Sequence, residues 1–280
     1  MDRRKSEQRA TQQCAAADTL ARFPLHVEVT GQGDPLVMLH GWGMHGGIWS
    51  ETAARFSQYF EVNSVDLPGH GASASLGAFT LDGVVDQLVA RFDQPVTVCG
   101  WSLGGQIAMH WARREPEKIK RLVLVSSTPC FAERNDWRFG MPQHILQLFA
   151  DDLEKNHAAT LRRFLALQVR GSEGERELLA AMRAILFSRG EPDMDALRGG
   201  LAILRDADLR DVLPDIEPPA LVIAGERDKL TPPEASHHLA QSLPNASMVE
   251  IRGAAHAPFL SHADAFVKHV VGFMKEQGYG

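Results

Sequence analysis

The 280-residue sequence contains few cysteines: Cys14, Cys99 and Cys130 are odd in number and lack paired spacing. A disulfide framework needs cysteines in pairs, and a structural zinc site needs them closely spaced, so the set argues against both. This usage is typical of a reducing compartment. We therefore expect a cytoplasmic protein.

Long apolar runs and a strong charge excess are also missing. No run approaches the length of a membrane span, and the basic start of the chain is not followed by the apolar segment of a signal peptide. The net charge of -6 is mild and unlike the basic excess of nucleic-acid-binding domains. We therefore expect neither membrane nor nucleic acid as a partner, and we expect residues 1–22 to form a disordered extension.

Patterns that bind metals or nucleotides are not evident either. There is no His-Glu-x-x-His motif, and the Gly104-Gly105 pair follows a serine instead of forming a phosphate-binding Gly-x-Gly-x-x-Gly loop. The sequence therefore predicts an activity that needs no metal and no cofactor.

Short apolar, β-branched runs alternate with stretches of helical spacing along most of the chain. The runs are PLVMLHG, FEVNSVDLPGHG, QPVTVCGWS, RLVLVSSTP, ALVIAGERD and ASMVEIRGAAH. Helices are predicted over residues 48–59, 81–92, 103–114, 233–243 and 263–275. This alternation predicts an α/β fold, with a mostly parallel twisted sheet and helices on both faces.

The alternation stops between residues 131 and 206, where helical spacing dominates, as in MPQHILQLFADDLEKNHAATLRRFLALQVRG. Helices inserted at the carboxyl end of a parallel sheet often cover the crevice where ligands bind. We therefore expect residues 131–206 to form a helical lid, inserted into an α/β core made of residues 23–130 and 207–280.

The stretch GWSLG, from Gly100 to Gly104, lies at a predicted junction of strand and helix and matches the Gly-x-Ser-x-Gly pattern of a nucleophile elbow. A side chain at either glycine would collide with the neighbouring strand or helix as the turn closes. The hydroxyl of Ser102 would project above the sheet, close to the free N–H groups at the start of the next helix. Ser102 is therefore the candidate nucleophile.

A serine nucleophile needs a base and an acid, which this architecture places in the chain order Ser, Asp or Glu, His. Asp228 follows the apolar run ALVIAG, where a carboxylate would stand at the same sheet edge as Ser102. Glu226 is the rival acid, but it follows the glycine directly and is expected at the strand exit. His256 follows the last apolar run and completes the order, with His262 at the start of the final helix as the alternative base. The predicted triad is Ser102, Asp228 and His256.

Acyl transfer also requires hydrogen bond donors for an oxyanion. The loop in LHGWGMHGGIW would present the backbone N–H of Trp42, and Leu103 would present the second, next to the nucleophile. The side chain of Trp42 is either a wall of the pocket or a core aromatic, and its glycine-rich loop favours the pocket wall.

Together these motifs resemble the α/β-hydrolase superfamily over most of residues 23–280. Within it, LHGWGMHGGIW, VDLPGHGAS, GWSLGGQIA, SSTPCF, RFLALQ, GGLAILRDADLR and AAHAPFLSH resemble the pimeloyl-[acyl-carrier protein] methyl ester esterases of biotin synthesis. The resemblance implies a serine esterase that cleaves the methyl ester at the far end of a pimeloyl chain carried on a phosphopantetheine arm. The products would be methanol and pimeloyl-acyl carrier protein.

The resemblance also implies substrate contacts and a partner. The implied contacts are Trp42, Ser102, Leu103, His256 and the lid residues Phe164, Leu165, Ala166, Leu167 and Gln168. The acidic carrier protein would dock on a basic lid face through Arg163 and Arg176. Two further lid arginines of the family pattern correspond here to Ala159 and Ala180, and residues 1–22 have no counterpart.

Other functions share the same triad. A general short-chain carboxylesterase and a hydrolase that cuts C–C bonds would use the same residues, because fold and triad do not choose the substrate. A hydrolase-like receptor for a small molecule is the alternative from another class, and the complete triad counts against it. We expect a monomer.

Overall fold

A computed structural model describes residues 25–278, so Cys14 and the extension predicted over residues 1–22 lie outside the described part. The strands are β1 Val27–Thr30, β2 Pro35–Leu39, β3 Glu61–Val65, β4 Val96–Trp101, β5 Ile119–Val125, β6 Ala220–Gly225 and β7 Ala246–Ile251. They form one sheet in the order β1-β3-β2-β4-β5-β6-β7. Only β1 and β3 pair antiparallel among these described neighbours. The predicted α/β fold with a mostly parallel sheet is confirmed.

The helices alternate with the strands as predicted. They are α1 Ser50–Phe56, α2 Leu81–Arg91, α3 Leu103–Arg114, α4 Gln143–Lys155, α5 His157–Val169, α6 Glu175–Leu186, α7 Met194–Asp206, α8 Pro233–Ser242, α9 Pro258–Ser261 and α10 Ala263–Glu276. The helix predicted over residues 48–59 is shorter, because its start is the 3₁₀ helix Gly46–Trp49. No helix within residues 25–278 is long and apolar enough to cross a membrane.

The central strands are buried along their whole length, as in β4 (VTVCGW) and β6 (ALVIAG). A parallel strand covered by helices on both faces has no polar face, so its sequence is a continuous apolar run. The sequence analysis did not predict β1, because its short VEVT segment is a largely exposed edge strand with no such run.

Helices α4 to α7 lie between β5 and β6 in the chain, and we call residues 131–206 the lid. Each of these helices is amphipathic: α6 buries Met182 and Leu186, and α7 buries Leu197 and Leu201. These buried side chains belong to the same hydrophobic cluster as the residues of the sheet. The lid is therefore packed on the core by continuous apolar contact.

A buried ion pair ties the lid to the core. Asp66, directly after β3, has a fully buried side chain that accepts hydrogen bonds from the amides of Gly46 at 2.6 Å and Ala72 at 2.9 Å. Arg189, in the loop between α6 and α7, donates to both carboxylate oxygens at 3.1 Å and pairs also with Glu28. We call Asp66, Arg189 and Glu28 the lid anchor. A buried carboxylate without such partners would be costly, so this contact holds the lid loop in place.

Two buried histidines support the loop that follows β2. His40 donates from Nδ1 to the carbonyl oxygen of Gly41 at 2.8 Å and accepts at Nε2 from the amide of Leu67 at 3.0 Å. His70 donates from Nδ1 to the carbonyl oxygen of Pro68 at 3.0 Å, and its ring meets that of His40 with centroids 5.1 Å apart. Burial lowers the pKa of both rings, that of His70 to about 4. Both rings are therefore neutral at pH 7.

Replacing Arg189 with alanine should lower the free energy of unfolding by about 2–3 kcal/mol, because Asp66 would stay buried with two amide donors and no cation. Arg205→Ala is the matched control, since Arg205 is an exposed lid arginine paired with the adjacent exposed Asp206. Its cost should stay within about 1 kcal/mol. Urea unfolding followed by tryptophan fluorescence measures both. Equal losses in the two variants would contradict the role given to the lid anchor.

The buried His70 should make stability fall in acid. Its pKa is about 4 in the folded chain against 6.5 for an ordinary histidine, so between these values the unfolded chain binds a proton that the folded chain does not. Stability from this group is complete above pH 6.5 and is lost towards pH 4, with a slope of at most about 1.4 kcal/mol per pH unit.

His70→Asn keeps a side-chain donor for Pro68 and should flatten the slope of unfolding free energy against pH between 6 and 5 by about that amount. His144→Asn, at an exposed position of α4, is the control and should keep the wild-type slope. Parallel slopes for all three proteins would show that His70 does not carry the effect.

Candidate active site

Ser102 lies at the sharp turn between β4 and α3, with φ 55° and ψ -117°. The turn is possible because its glycines have no side chains: a Cβ on Gly100 would lie 2.3 Å from the carbonyl oxygen of Gly104, and one on Gly104 would lie 2.4 Å from that of Leu39. The hydroxyl of Ser127 donates to the carbonyl oxygen of Ser102 at 2.9 Å. Strain at a residue with left-handed φ is typical of functional sites, and here it fixes where the serine hydroxyl points.

Asp228 lies in the loop after β6, where four donors surround its carboxylate. Oδ1 accepts from the amides of Leu230 at 2.9 Å and Thr231 at 3.1 Å. Oδ2 accepts from the hydroxyl of Thr231 at 2.7 Å and from Nδ1 of His256 at 2.8 Å. The side chain of Asp228 is fully buried. The loop therefore holds the carboxylate against one nitrogen of the imidazole.

His256 lies in the loop between β7 and α9 and is held from three sides. Nδ1 donates to Asp228, the backbone N–H donates to the carbonyl oxygen of Gln168 at 3.0 Å, and its own carbonyl oxygen accepts from Nε1 of Trp101 at 2.7 Å. Trp101 immediately precedes Ser102, so this bond joins the histidine loop to the elbow. Nε2 is buried and has no hydrogen bond partner in the described residues. That nitrogen is therefore available as a proton acceptor.

The rival acid and base occupy other positions. Glu226 is exposed and accepts from the amide of Gly253 at 2.8 Å. His262 contacts the hydroxyl of Ser261 at 2.8 Å and lies 3.8 Å from a carboxylate oxygen of Glu173. Neither residue contacts Asp228 or His256 by hydrogen bond, so the geometry favours the pair that the sequence analysis preferred.

Two backbone amides beside Ser102 have no hydrogen bond partner within the part of the chain that the structure describes. Within the described residues, the amides of Trp42 and Leu103 donate no hydrogen bond to another protein group. Leu103 begins α3 directly after Ser102, and a Cβ on Gly41 would lie 3.3 Å from the Cβ of Ser102. Free amides at this position can stabilise a developing oxyanion.

The side chain of Trp42 lies between the core and the lid. Nε1 donates to the carbonyl oxygen of Leu197 in α7 at 2.9 Å, and the ring meets Phe164 edge to face with centroids 5.0 Å apart. A Cβ on Gly200 would lie 2.7 Å from Cδ1 of Trp42 and 3.3 Å from Cδ2 of Leu103. The sequence analysis missed Gly200. The sequence feature that could have identified Gly200 is its position inside an amphipathic helix. A glycine there weakens the helix, so its presence indicates that close packing requires it.

The five lid residues Phe164 to Gln168 lie at different places around the site. Phe164 faces Trp42, and the backbone of Gln168 contacts that of His256. Leu167 lines a surface groove at the seam between lid and core, Leu165 is buried in the core and Ala166 is half-buried. The segment therefore reaches the site at its two ends, as expected of one helical face.

The lid arginines differ in how they are paired. Arg163 pairs with Asp152 at 2.7 Å and lies over the ring of Phe149. Arg176 is exposed and has no ion pair within the described residues. Arg189, one of the lid arginines of the sequence, points inwards to the lid anchor. Fewer lid arginines are therefore exposed and unpaired than the number of arginines in the lid sequence suggests.

Solved structures share this architecture. An esterase from Exiguobacterium antarcticum matches with a TM-score of 0.82 at 22% sequence identity, covering 90% of this chain and 96% of that chain. An enol-lactonase from Burkholderia xenovorans matches with a TM-score of 0.78 at 24% identity, covering 90% and 96%. At such identities the likeness shows the fold alone.

Sequence relatives are more specific. The family model described as alpha/beta hydrolase fold matches residues 34–263. A pimeloyl-[acyl-carrier protein] methyl ester esterase from Nitrosomonas europaea is 45% identical over 244 residues, which cover 87% of this chain and 96% of the relative. One from Chromobacterium violaceum is 44% identical over 253 residues, covering 90% and 99%. With this identity over nearly the whole length, the chain belongs to the pimeloyl-[acyl-carrier protein] methyl ester esterase family of α/β-hydrolase-fold enzymes.

Proposed function

We propose that the chain hydrolyses the methyl ester of pimeloyl-[acyl-carrier protein] methyl ester, with Ser102 as nucleophile, His256 as base and Asp228 as its orienting acid. The observation that carries the proposal is the imidazole of His256, whose Nδ1 lies 2.8 Å from a buried carboxylate and whose Nε2 has no hydrogen bond partner among residues 25–278. The names of the relatives at 44–45% identity support the substrate.

The first half of the reaction forms an acyl-enzyme. Nε2 of His256 takes the proton of Ser102 as the serine oxygen attacks the ester carbonyl carbon. The amides of Trp42 and Leu103 donate to the oxyanion of the tetrahedral intermediate. The imidazolium then gives its proton to the methoxy oxygen, the C–O bond breaks and methanol leaves. Asp228 stabilises the imidazolium and keeps the ring in the tautomer with the proton on Nδ1.

The second half uses water. His256 takes a proton from the water that attacks the acyl carbon and returns it to the oxygen of Ser102, so that the free carboxyl group of the product is released. Ser102, Asp228 and His256 are 6%, 3% and 1% exposed, so this chemistry takes place in a site closed to bulk solvent. Exclusion of water strengthens the hydrogen bonds to the oxyanion.

The substrate side of the proposal uses the residues around the serine. Trp42 and Phe164 form an aromatic wall at the junction of lid and core, where the methylene groups of a pimeloyl chain can be buried. In the proposal, Leu165, Ala166, Leu167 and Gln168 continue this lid contact. The side chains of Leu165, Ala166 and Leu167 are apolar and suit the methylene groups of the acyl chain. Gln168 contributes a buried side-chain oxygen that has no hydrogen bond partner within the described residues.

The carrier protein is the proposed partner, with Arg163 and Arg176 as docking residues. Both are exposed lid residues, on α5 and α6. An acidic carrier would be steered to such cations by charges that salt screens. All three residues of the proposed triad lie in one chain, so the proposed reaction needs no second copy, and we propose a monomer that acts in the cytoplasm.

Ser102→Ala should reduce methanol release from the carrier-bound methyl ester by about 10⁴-fold or more, because no other group can form the acyl-enzyme. Asp228→Asn should reduce it by a similar order, since the amide cannot hold the same tautomer of His256. Ser236→Ala is the control: it removes a buried serine hydroxyl on α8 that has no hydrogen bond partner within the described residues. Its turnover should match the wild type.

Methanol release is measured for the carrier-bound ester, the free pimeloyl methyl ester and p-nitrophenyl acetate. Wild-type turnover that persists in Ser102→Ala would refute the mechanism. Loss in the variant together with equal or better turnover of the small esters would keep the triad but replace the proposed substrate with that of a general carboxylesterase.

Arg163→Glu and Arg176→Glu should each lower kcat/KM for the carrier-bound ester by about fivefold, or about 1 kcal/mol, relative to the free ester. Arg113→Glu, which reverses an exposed charge on the core helix α3, should leave that ratio unchanged. Added salt should weaken the wild-type preference for the carrier-bound ester. A preference that resists both salt and the two lid variants would place the docking surface elsewhere.

A further inference from the structure

A groove of about 540 Å³ opens at the seam between lid and core. Its walls are largely apolar and come from both sides of the seam. Lid residues on one wall include Ile145 and Leu167, and core residues on the other include Leu230 and Pro232. The cations Arg170 and Lys229 also line the groove.

Both walls of the groove adjoin groups that contact the triad. Leu230 lines the groove, and its amide donates to Oδ1 of Asp228 at 2.9 Å. Leu167 lines the opposite wall and precedes Gln168, whose carbonyl oxygen accepts from the amide of His256. On the core side the groove is lined by Leu230, which itself supports Asp228, and on the lid side by Leu167, the neighbour of the residue that supports His256. The groove therefore borders the residues that hold the proposed acid and base.

The two cations at the groove are not neutralised by the protein. Arg170 and Lys229 are exposed, and within residues 25–278 neither forms an ion pair or a side-chain hydrogen bond. Arg163 and Arg198, by contrast, are paired with lid carboxylates. The described residues that line the groove include no carboxylate. An apolar trough with two unpaired cations suits a ligand that is mostly uncharged and carries one anionic group.

We propose that this groove binds the phosphopantetheine arm of the carrier-bound substrate, with Arg170 and Lys229 holding its phosphodiester; the inference rests on the proposed function. The arm combines an uncharged chain with a single phosphate, which matches the groove in both chemistry and charge. A guanidinium can donate two parallel hydrogen bonds to a phosphate, and an ammonium adds a point charge.

The position of Arg170 also fits the proposed docking surface. Arg170 caps α5 at its C-terminal end, seven residues after Arg163. Seven residues are two helical turns, so the two arginines lie on one face, about 10 Å apart along the axis. A carrier docked at Arg163 would therefore bring its arm to the helix end that borders the groove.

The experiment uses two small substrates without carrier protein, which removes the docking surface from the measurement. Both are pimeloyl methyl esters attached by a thioester to pantetheine, one with a methyl phosphodiester at the position of the natural phosphate and one without it. The measured quantity is the ratio of kcat/KM for methanol release, phosphorylated over unphosphorylated. Arg170→Gln/Lys229→Gln is compared with Arg113→Gln/Lys268→Gln, which removes the same charges from exposed core positions.

The wild type should prefer the phosphorylated ester by about tenfold or more, because charge-assisted hydrogen bonds to a phosphate are lost with it. The ratio should fall towards one in the groove variant and stay at the wild-type value in the control. A wild-type ratio of one, or an unchanged ratio in the groove variant, overturns the inference.

A binding measurement separates this inference from the proposed function. Calorimetry with pantetheine methyl phosphodiester is run on Ser102→Ala, with and without the two groove substitutions. If the wild type cleaves neither ester, the proposed function fails, and binding then decides: affinity that drops about tenfold or more on removal of Arg170 and Lys229 supports the phosphate site. Binding that is absent, or unaffected by the substitutions, overturns it.

Discussion

The backbone of Ser102 is the constraint around which the site is built. At φ 55° and ψ -117° a residue with a side chain pays about 1–3 kcal/mol, which the surrounding structure must offset. Gly100 and Gly104 let β4, α3 and the end of β2 approach closely enough to hold this turn. Because parallel strands end at a common edge, the loops after β6 and β7 then bring Asp228 and His256 to the same place. The turn fixes the position of Ser102, and the sheet topology positions Asp228 and His256.

Two buried aspartates have different partners: Asp66 pairs with an arginine of the lid, and Asp228 pairs with a histidine of the core. Asp66 is compensated by a cation from the lid and two amides, so its role is to hold parts of the structure together. Asp228 receives two amides and a hydroxyl from its own loop, and it receives the imidazole of His256 from outside that loop. A guanidinium at Asp228 would compete with the imidazolium of the proposed mechanism. Local donors satisfy the carboxylate without taking that role.

Much of the core could be predicted from the sequence because its signals are local. Buried parallel strands read as apolar runs, and the elbow reads as glycines around Ser102. Features that depend on distant pairing could not be predicted. The contact of Arg189 with Asp66 joins residues far apart in the chain. The residues next to Arg189 in the sequence do not indicate that its side chain points into the structure. Gly200 is visible as a helix glycine, but its contact with Trp42 requires the packed structure. The edge strand β1 was not predicted because it is short and largely exposed.

Catalytic geometry and substrate choice depend on different parts of this molecule. The proposed triad and the two amides beside Ser102 belong to the core, and an enzyme for any ester could use them unchanged. The lid, by contrast, adds three polar contacts to its apolar packing on the core: the lid anchor, the bond from Trp42 to Leu197 and the bond from His256 to Gln168. Fixing the lid at these points leaves a defined seam instead of an open cleft. In the proposed function, a substrate on a long arm would place the arm along this seam, where the cations could bind its phosphate, and a substrate without an arm would not reach those cations. Under that proposal, selectivity for a carried ester depends on the contacts that hold lid and core on either side of the seam.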